Sequence, residues 1–152
     1  MNRPSYLLIF AAVLSFCAAI FQAVIGFVPE WSAAFGAGDA LVSNPPLLLT
    51  LGLLVALLLV IFGLYGLSGA GVIRRLPLLR PGLLLIGLLY STVGINFIFQ
   101  VLVMLGILPS AGPIPIYQLL VSFGAFVAAL AYLIGLAVSW KRPSTKPALA
   151  VS

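Results

Sequence analysis

Apolar runs closed by proline, glycine or basic residues organise this chain. A helix needs about 20 apolar residues to cross the roughly 30 Å hydrocarbon core of a bilayer. Four runs meet that length: about 5–28, closed by Pro29; about 46–68, preceded by Asn44-Pro45-Pro46 and followed by Gly69-Ala70-Gly71; about 81–108, before Pro109; and about 115–140, before Lys141. Proline suits a helix start because its missing N–H would be unpaired there in any case. Glycine suits the residue just past a helix end. Pro109-Ser110-Ala111-Gly112-Pro113 supplies the turn that splits the last long apolar stretch in two. The pattern predicts an all-α membrane protein, a four-transmembrane-helix bundle forming one domain over 1–142. A short, disordered cytoplasmic tail is expected over 143–152.

Composition sharpens this reading. The chain is 64% hydrophobic and 6% charged, whereas an ordinary soluble domain is nearer a quarter charged. Such a surface must meet lipid rather than water. The net charge of +5 does not point to nucleic acid, which needs a basic face on a folded domain. Here the seven basic residues, Arg3, Arg74, Arg75, Arg80, Lys141, Arg142 and Lys146, stand only at the termini and in one loop.

Four spans put all three clusters on one side, and basic residues mark the cytoplasmic side. Both termini are therefore expected in the cytoplasm, with Glu30, Asp39 and the turn at Pro109 outside. Arg74, Arg75, Arg80, Lys141 and Arg142 are expected to contact anionic lipid head groups. The size and short loops resemble those of small four-span bacterial membrane proteins in general, which implies a cytoplasmic (inner) membrane. Arg3 and the first apolar run have the order of a signal peptide, but the run exceeds the roughly 7–15 residues of a cleavable core. Leu14-Ser15-Phe16-Cys17 resembles a lipoprotein box, yet bulky Phe16 argues against processing there. The first run is expected to remain as a span.

The segment 30–44 is too apolar for a free loop, with Trp31, Phe35, Leu41 and Val42. It predicts a short interfacial helix, begun near Pro29 and stopped by Gly36 or Gly38. Its role is either an anchor at head-group level or a lid over an outward pocket. Phe21-Gln22 before Pro29 and Phe99-Gln100 before Pro109 form a faint repeat. The chain can accordingly be read as two tandem helical hairpins of the same orientation, related by an axis along the membrane normal.

Catalytic chemistry has little to work with. There is no histidine and one cysteine, Cys17, so no disulfide, no metal site, no cofactor and no hydrolase triad are expected. Cys17 reads as a small packing residue. No span holds an Asp, Glu, Lys or Arg, which argues against proton-coupled transport. Small four-helix multidrug exporters depend on a glutamate in the first helix, which this chain lacks. A membrane enzyme could draw only on Glu30, Asp39 or Tyr90.

Uncharged polar groups are the remaining candidates. Thr92, Asn96 and Gln100 recur every four residues and so share one face of the third span, with Tyr90 and Ser91 nearby. Gln22, and Gln118 with Ser122, could face them. Amides in hydrocarbon seek partners, so these groups are either bonds between helices or the lining of a ligand pocket. Gln22, Thr92, Asn96, Gln100 and Gln118 are the candidate ligand-binding residues. Small residues form stripes at Ala11, Ser15, Ala19 and Ala23; at Gly63, Gly66 and Gly69; and at Ala131, Gly135 and Ser139. Such stripes let helix backbones approach closely, within one bundle or between copies. The leucine-rich stretches 47–49 and 57–59 are expected to meet lipid.

Two functions follow. One is a non-enzymatic accessory or self-associating subunit, with a homo-oligomer or another membrane protein as partner. The other is a binder or carrier of a lipid or small hydrophobic molecule.

Overall fold

The computed structural model describes residues 5–35, 38–109, 112 and 114–140, and no side chain at 139 or 140. Arg3, Lys141, Arg142, Lys146 and the tail 143–152 lie outside the described residues, as do Gly36, Ser110, Ala111 and Pro113. Among the described residues six helices run in chain order: α1 (Tyr6–Gly26), α2 (Pro29–Ala34), α3 (Asp39–Val42), α4 (Pro45–Ala70), α5 (Leu79–Met104) and α6 (Ile116–Trp140). Four of them, α1, α4, α5 and α6, are long and apolar enough to span a membrane. The molecule is an all-α four-helix bundle of the kind the apolar pattern predicts.

Helix ends differ from expectation where a glycine outranks a proline. Gly71 takes the left-handed conformation at φ 79°, and Val72 N–H donates to the Leu67 carbonyl at 3.0 Å. This reversal closes α4 at Ala70, two residues beyond the expected end. Gly106, at φ 73°, does the same for α5, with Ile107 N–H donating to Leu102 at 3.0 Å. The third span therefore stops at Met104, and 105–108 is loop although apolar. At its start, α5 gains Leu79 and Arg80 ahead of Pro81, which sits within the first turn where no donor is needed. Pro29 opens α2 as expected, and α3 is a further short helix that the spacing did not signal.

The four spans alternate in direction, and α1 packs along α4 as α5 packs along α6. Gly66 and Gly69 of α4 lie against Leu8, near the start of α1, while Gly52 faces Gly26 near its end. Gly87 faces Leu133 and Gly94 faces Phe126 across the α5–α6 pair. The start of α1, the 71–78 loop with Arg74 and Arg75, and the end of α6 thus share one end of the bundle, called here the arginine end. Helices α2 and α3 cover the other.

The small-residue stripes are used inside the bundle. Ala11, Ser15, Ala19 and Gly26 of α1, Gly63 and Gly66 of α4, and Ala131 and Gly135 of α6 are all buried. Gly66 is the point where α4 meets both α1 and α6. A Cβ there would stand 2.9 Å from Ala12 Cβ and 3.1 Å from the Tyr132 hydroxyl. The leucine faces divide: Leu47, Leu57 and Leu58 are exposed, as expected for lipid contact, but Leu48 is buried against expectation.

One polar cluster ties all four spans together. Tyr90 (α5) donates to Ser15 Oγ (α1) at 2.9 Å, Ser15 Oγ lies 2.9 Å from the Tyr132 hydroxyl (α6), and Tyr132 donates to the Phe62 carbonyl (α4) at 2.8 Å. Tyr132 and Ser15 are fully buried, so these hydroxyls have no water to turn to and each must be paired inside the protein. Around them pack Leu8, Phe62, Leu83, Ile86 and Leu136, the apolar core of the arginine-end half. Tyr132→Phe removes both contacts of its hydroxyl. It should destabilise the bundle by about 1–2 kcal/mol, given roughly 0.6 kcal/mol for an average interhelical bond and up to about 1.7 for the best. Tyr65→Phe, which loses one exposed 3.3 Å bond to Pro77, should cost less. Unfolding in mixed micelles of increasing sodium dodecyl sulfate content measures both, and equal midpoints would remove the cluster's structural role.

Candidate functional site

Beyond the tyrosine cluster the helices separate. The side-chain contacts of α4 with α5 lie in the arginine-end half, where Gly69 meets Leu83, Tyr65 covers Gly82 and Phe62 packs edge-on to Tyr90 at 5.9 Å. Further along, the two hairpins flank a half-open cavity of about 730 Å³. Cys17, Phe21 and Gln22 of α1 form one wall and Leu48, Gly52 and Val55 of α4 the next. Tyr90 and Val93 of α5, with Gly124, Ala125 and Ala128 of α6, complete it. Small residues on facing helices leave this space: a Cβ added at Gly124 would meet nothing within 4 Å.

The cavity has a roof. Ser32 and Phe35 of the α2 segment and Leu41 of α3 line its far end. Ser32 Oγ donates to the Ile25 carbonyl at 2.6 Å, which fastens α2 to the end of α1 where a helix leaves carbonyls unpaired. The Phe35 ring packs edge-on to Phe21 at 5.0 Å and to Tyr117 at 4.8 Å, bridging α1 and α6. Trp31 remains exposed and off the cavity. The short helix thus turns Phe35 inward and Trp31 outward, so both roles considered for this segment have a residue to carry them.

The lining is apolar and carries no formal charge; its polar groups are Gln22, Ser32, Tyr90 and the Cys17 thiol. Ser32 and Tyr90 spend their hydroxyl protons on Ile25 and Ser15. The Gln22 amide makes no hydrogen bond to another described residue. It is the one uncommitted amide in the wall, able both to donate and to accept. Cys17, expected to be packed away, is exposed on the cavity wall instead. The neighbouring helix simply does not reach it.

The other candidate residues lie elsewhere. Thr92 and Asn96 are exposed on α5 and bond to carbonyls of their own helix: Thr92 Oγ1 to Leu89 at 2.7 Å, Asn96 Nδ2 to Val93 at 3.2 Å and Thr92 at 3.4 Å. Gln100 is buried, and its Oε1 has no hydrogen-bond partner among the described residues. Gln118 is exposed near the start of α6, whereas Ser122 is buried. The shared face of Thr92, Asn96 and Gln100 therefore does not converge on Gln22. The two Phe-Gln pairs also sit in unlike settings, Gln22 on the cavity and Gln100 off it. Glu30 and Asp39 are exposed in the first turns of α2 and α3, where a carboxylate suits a helix N-terminus. They stand outside the cavity walls.

Arg74 and Arg75 are exposed in the arginine-end loop, and Arg80 is exposed in the first turn of α5. Ser68 holds that loop down, donating to the Arg74 carbonyl at 3.1 Å and accepting from Leu76 N–H at 2.9 Å. The lining residues that sequence reasoning missed include Cys17 as a wall residue, Gly52, Gly124, Ala125 and Ala128. Their one visible signal is a second set of small residues on α6, offset from Ala131 and Gly135. Compared with protein-family models, curated proteins and solved structures, the chain matches none.

Proposed function

We propose that this multi-pass membrane protein is a non-enzymatic holder of a small hydrophobic molecule, most simply a lipid acyl chain, seated in the roofed cavity between its two hairpins. The cavity is the observation that carries this reading. Its volume of about 730 Å³ lies within the roughly 300–1,000 Å³ typical of ligand pockets, and an apolar wall with one convergent polar group is the usual character of such sites. Gln22 anchors a hydroxyl, carbonyl or ester of the guest while the chain fills the apolar space. A lining without carboxylate, amine or imidazole supports holding rather than catalysis. The basic loop supports a cytoplasmic arginine end, with both termini inside and the cavity toward the outer leaflet of an inner membrane. Arg74, Arg75 and Arg80 then contact anionic head groups, as do Lys141 and Arg142 after α6.

Cys17 is the single cysteine and lines the cavity, so it reports on occupancy. In purified protein in micelles, N-ethylmaleimide should label Cys17, and saturating oleate should slow labelling several-fold. A labelling rate indifferent to oleate and to long-chain alcohols would sink the reading.

A second reading, an accessory or self-associating subunit acting through helix contacts, draws on the two polar side chains of α5 exposed away from the bundle, Thr92 and Asn96.

A further inference from the structure

The outward face of α5 has a spacing of its own. Leu85, Leu89, Thr92, Asn96, Phe99 and Val103 follow one another in steps of four and three, the repeat that keeps one seam of a helix facing a partner helix. Leu85, Leu89 and Phe99 are 58%, 42% and 53% exposed, and Thr92 and Asn96 are exposed between them. The residues of α5 that pack inward are Leu83, Ile86, Gly87 and Gly94, on the opposite side, and Gln100, one turn beyond Asn96 where this face meets the bundle. Of the four spans α5 is the least covered, 22% of its apolar window being buried against 44% for α6.

Asn96 makes this face more than a lipid surface. It lies about 7 Å from the midpoint of α5 at about 1.5 Å per residue, inside a hydrocarbon core of about 30 Å. Its Nδ2 reaches only carbonyls of its own helix, at 3.2 and 3.4 Å, which are already helix acceptors. Its Oδ1 accepts nothing among the described residues. An amide facing hydrocarbon is costly, and intramembrane polar side chains pair with one another across helices.

We infer that α5 is a self-association seam, through which two copies of this chain pair as parallel helices about an axis along the membrane normal. A second copy is the partner that fits without further assumption. Both copies insert with the same orientation, so a twofold axis along the normal sets residue 96 of each at the same depth. An amide both donates and accepts, and two asparagines so placed satisfy each other. A single polar residue within an otherwise apolar seam also sets register and favours the pair over other alignments. The inference rests on the self-association reading, not on the cavity.

Three measurements test it. Energy transfer between labelled copies in liposomes should show a dimer, and Asn96→Leu should raise its dissociation constant about five- to thirty-fold, the range for one interhelical polar contact in model peptides. In a Cys17→Ser background, Leu89→Cys should form a disulfide with its copy under mild oxidation. Ile98→Cys, exposed on another face of α5, should not. All three positions are exposed, so the monomer should fold unchanged, which the dodecyl sulfate midpoint checks. A dimer indifferent to Asn96→Leu, or one cross-linked better through 98 than 89, overturns the seam and leaves self-association standing. Wild-type protein that stays monomeric at high density in liposomes overturns both. Oleate protection of Cys17 in Asn96→Leu reads the cavity separately.

Discussion

Gly94→Ala should be among the most damaging single-methyl changes in this protein. A Cβ at position 94 would stand 2.7 Å from Phe126 Cα and 2.8 Å from Phe126 N. Those atoms are backbone of α6 and cannot rotate away, so the α5–α6 pair must separate along its length. Overpacking of this kind typically costs about 1–3 kcal/mol, and the separation also loosens the Tyr90–Ser15–Tyr132 cluster nearby. Gly87→Ala is the matched control on the same helix. Its new methyl meets the Leu133 side chain at 2.6 Å, which can change rotamer. The dodecyl sulfate midpoint should therefore fall far more for Gly94→Ala than for Gly87→Ala. Similar midpoints for the two would mean that α5 and α6 do not approach at Gly94.

Gly124→Leu should have the opposite profile, keeping the fold and losing the guest. Position 124 faces open space in the cavity wall. A Cβ there meets nothing within 4 Å, and the substitution removes the conformational freedom of a mid-helix glycine, a difference of about 0.5–1 kcal/mol for alanine in its place. The unfolding midpoint should stay level or rise. The side chain fills volume that a bound chain needs, and a misfit of even one methylene in an apolar pocket shifts binding by about ten-fold or more. Equilibrium binding of radiolabelled oleate to the purified protein is the measurement. Unchanged oleate affinity in Gly124→Leu would remove the cavity as the site.

Much of the site was hidden in the sequence for an identifiable reason. The polar face of the third span was legible as spacing, but which way it faces was not. Amides were expected to turn inward, because in a soluble protein an exposed amide is unremarkable and in a membrane it is not. Gln100 does turn inward, but Asn96 and the neighbouring Thr92 lie outside, and the polar groups that join the spans are the hydroxyls of Ser15, Tyr90 and Tyr132. Ser15 was visible only as one member of a small-residue stripe. Its burial beside Gly66 depends on α1, α4 and α6 meeting at one point, which no local pattern records. Cys17 was misjudged for the same reason. Its exposure depends on the small residues Gly124, Ala125 and Ala128 of a helix more than a hundred positions away.

The sequence by itself determined the number of spans, their alternation and which loops share an end. Insertion depends on apolar character summed over about 20 consecutive residues and on charge at the ends, and both are local sums along the chain. Glycine and proline placed most boundaries as well, because their backbone preferences are also local. Only the tertiary structure decided which face of each helix meets another helix. Lipid is as apolar as leucine, so inward and outward positions in a span need not differ in hydrophobicity. That choice rests on close approach at Gly66, Gly94 and Gly135 and on the pairing of a few hydroxyls. Among the features that choice leaves unfilled in the described residues are the cavity beside Cys17 and the amide of Asn96.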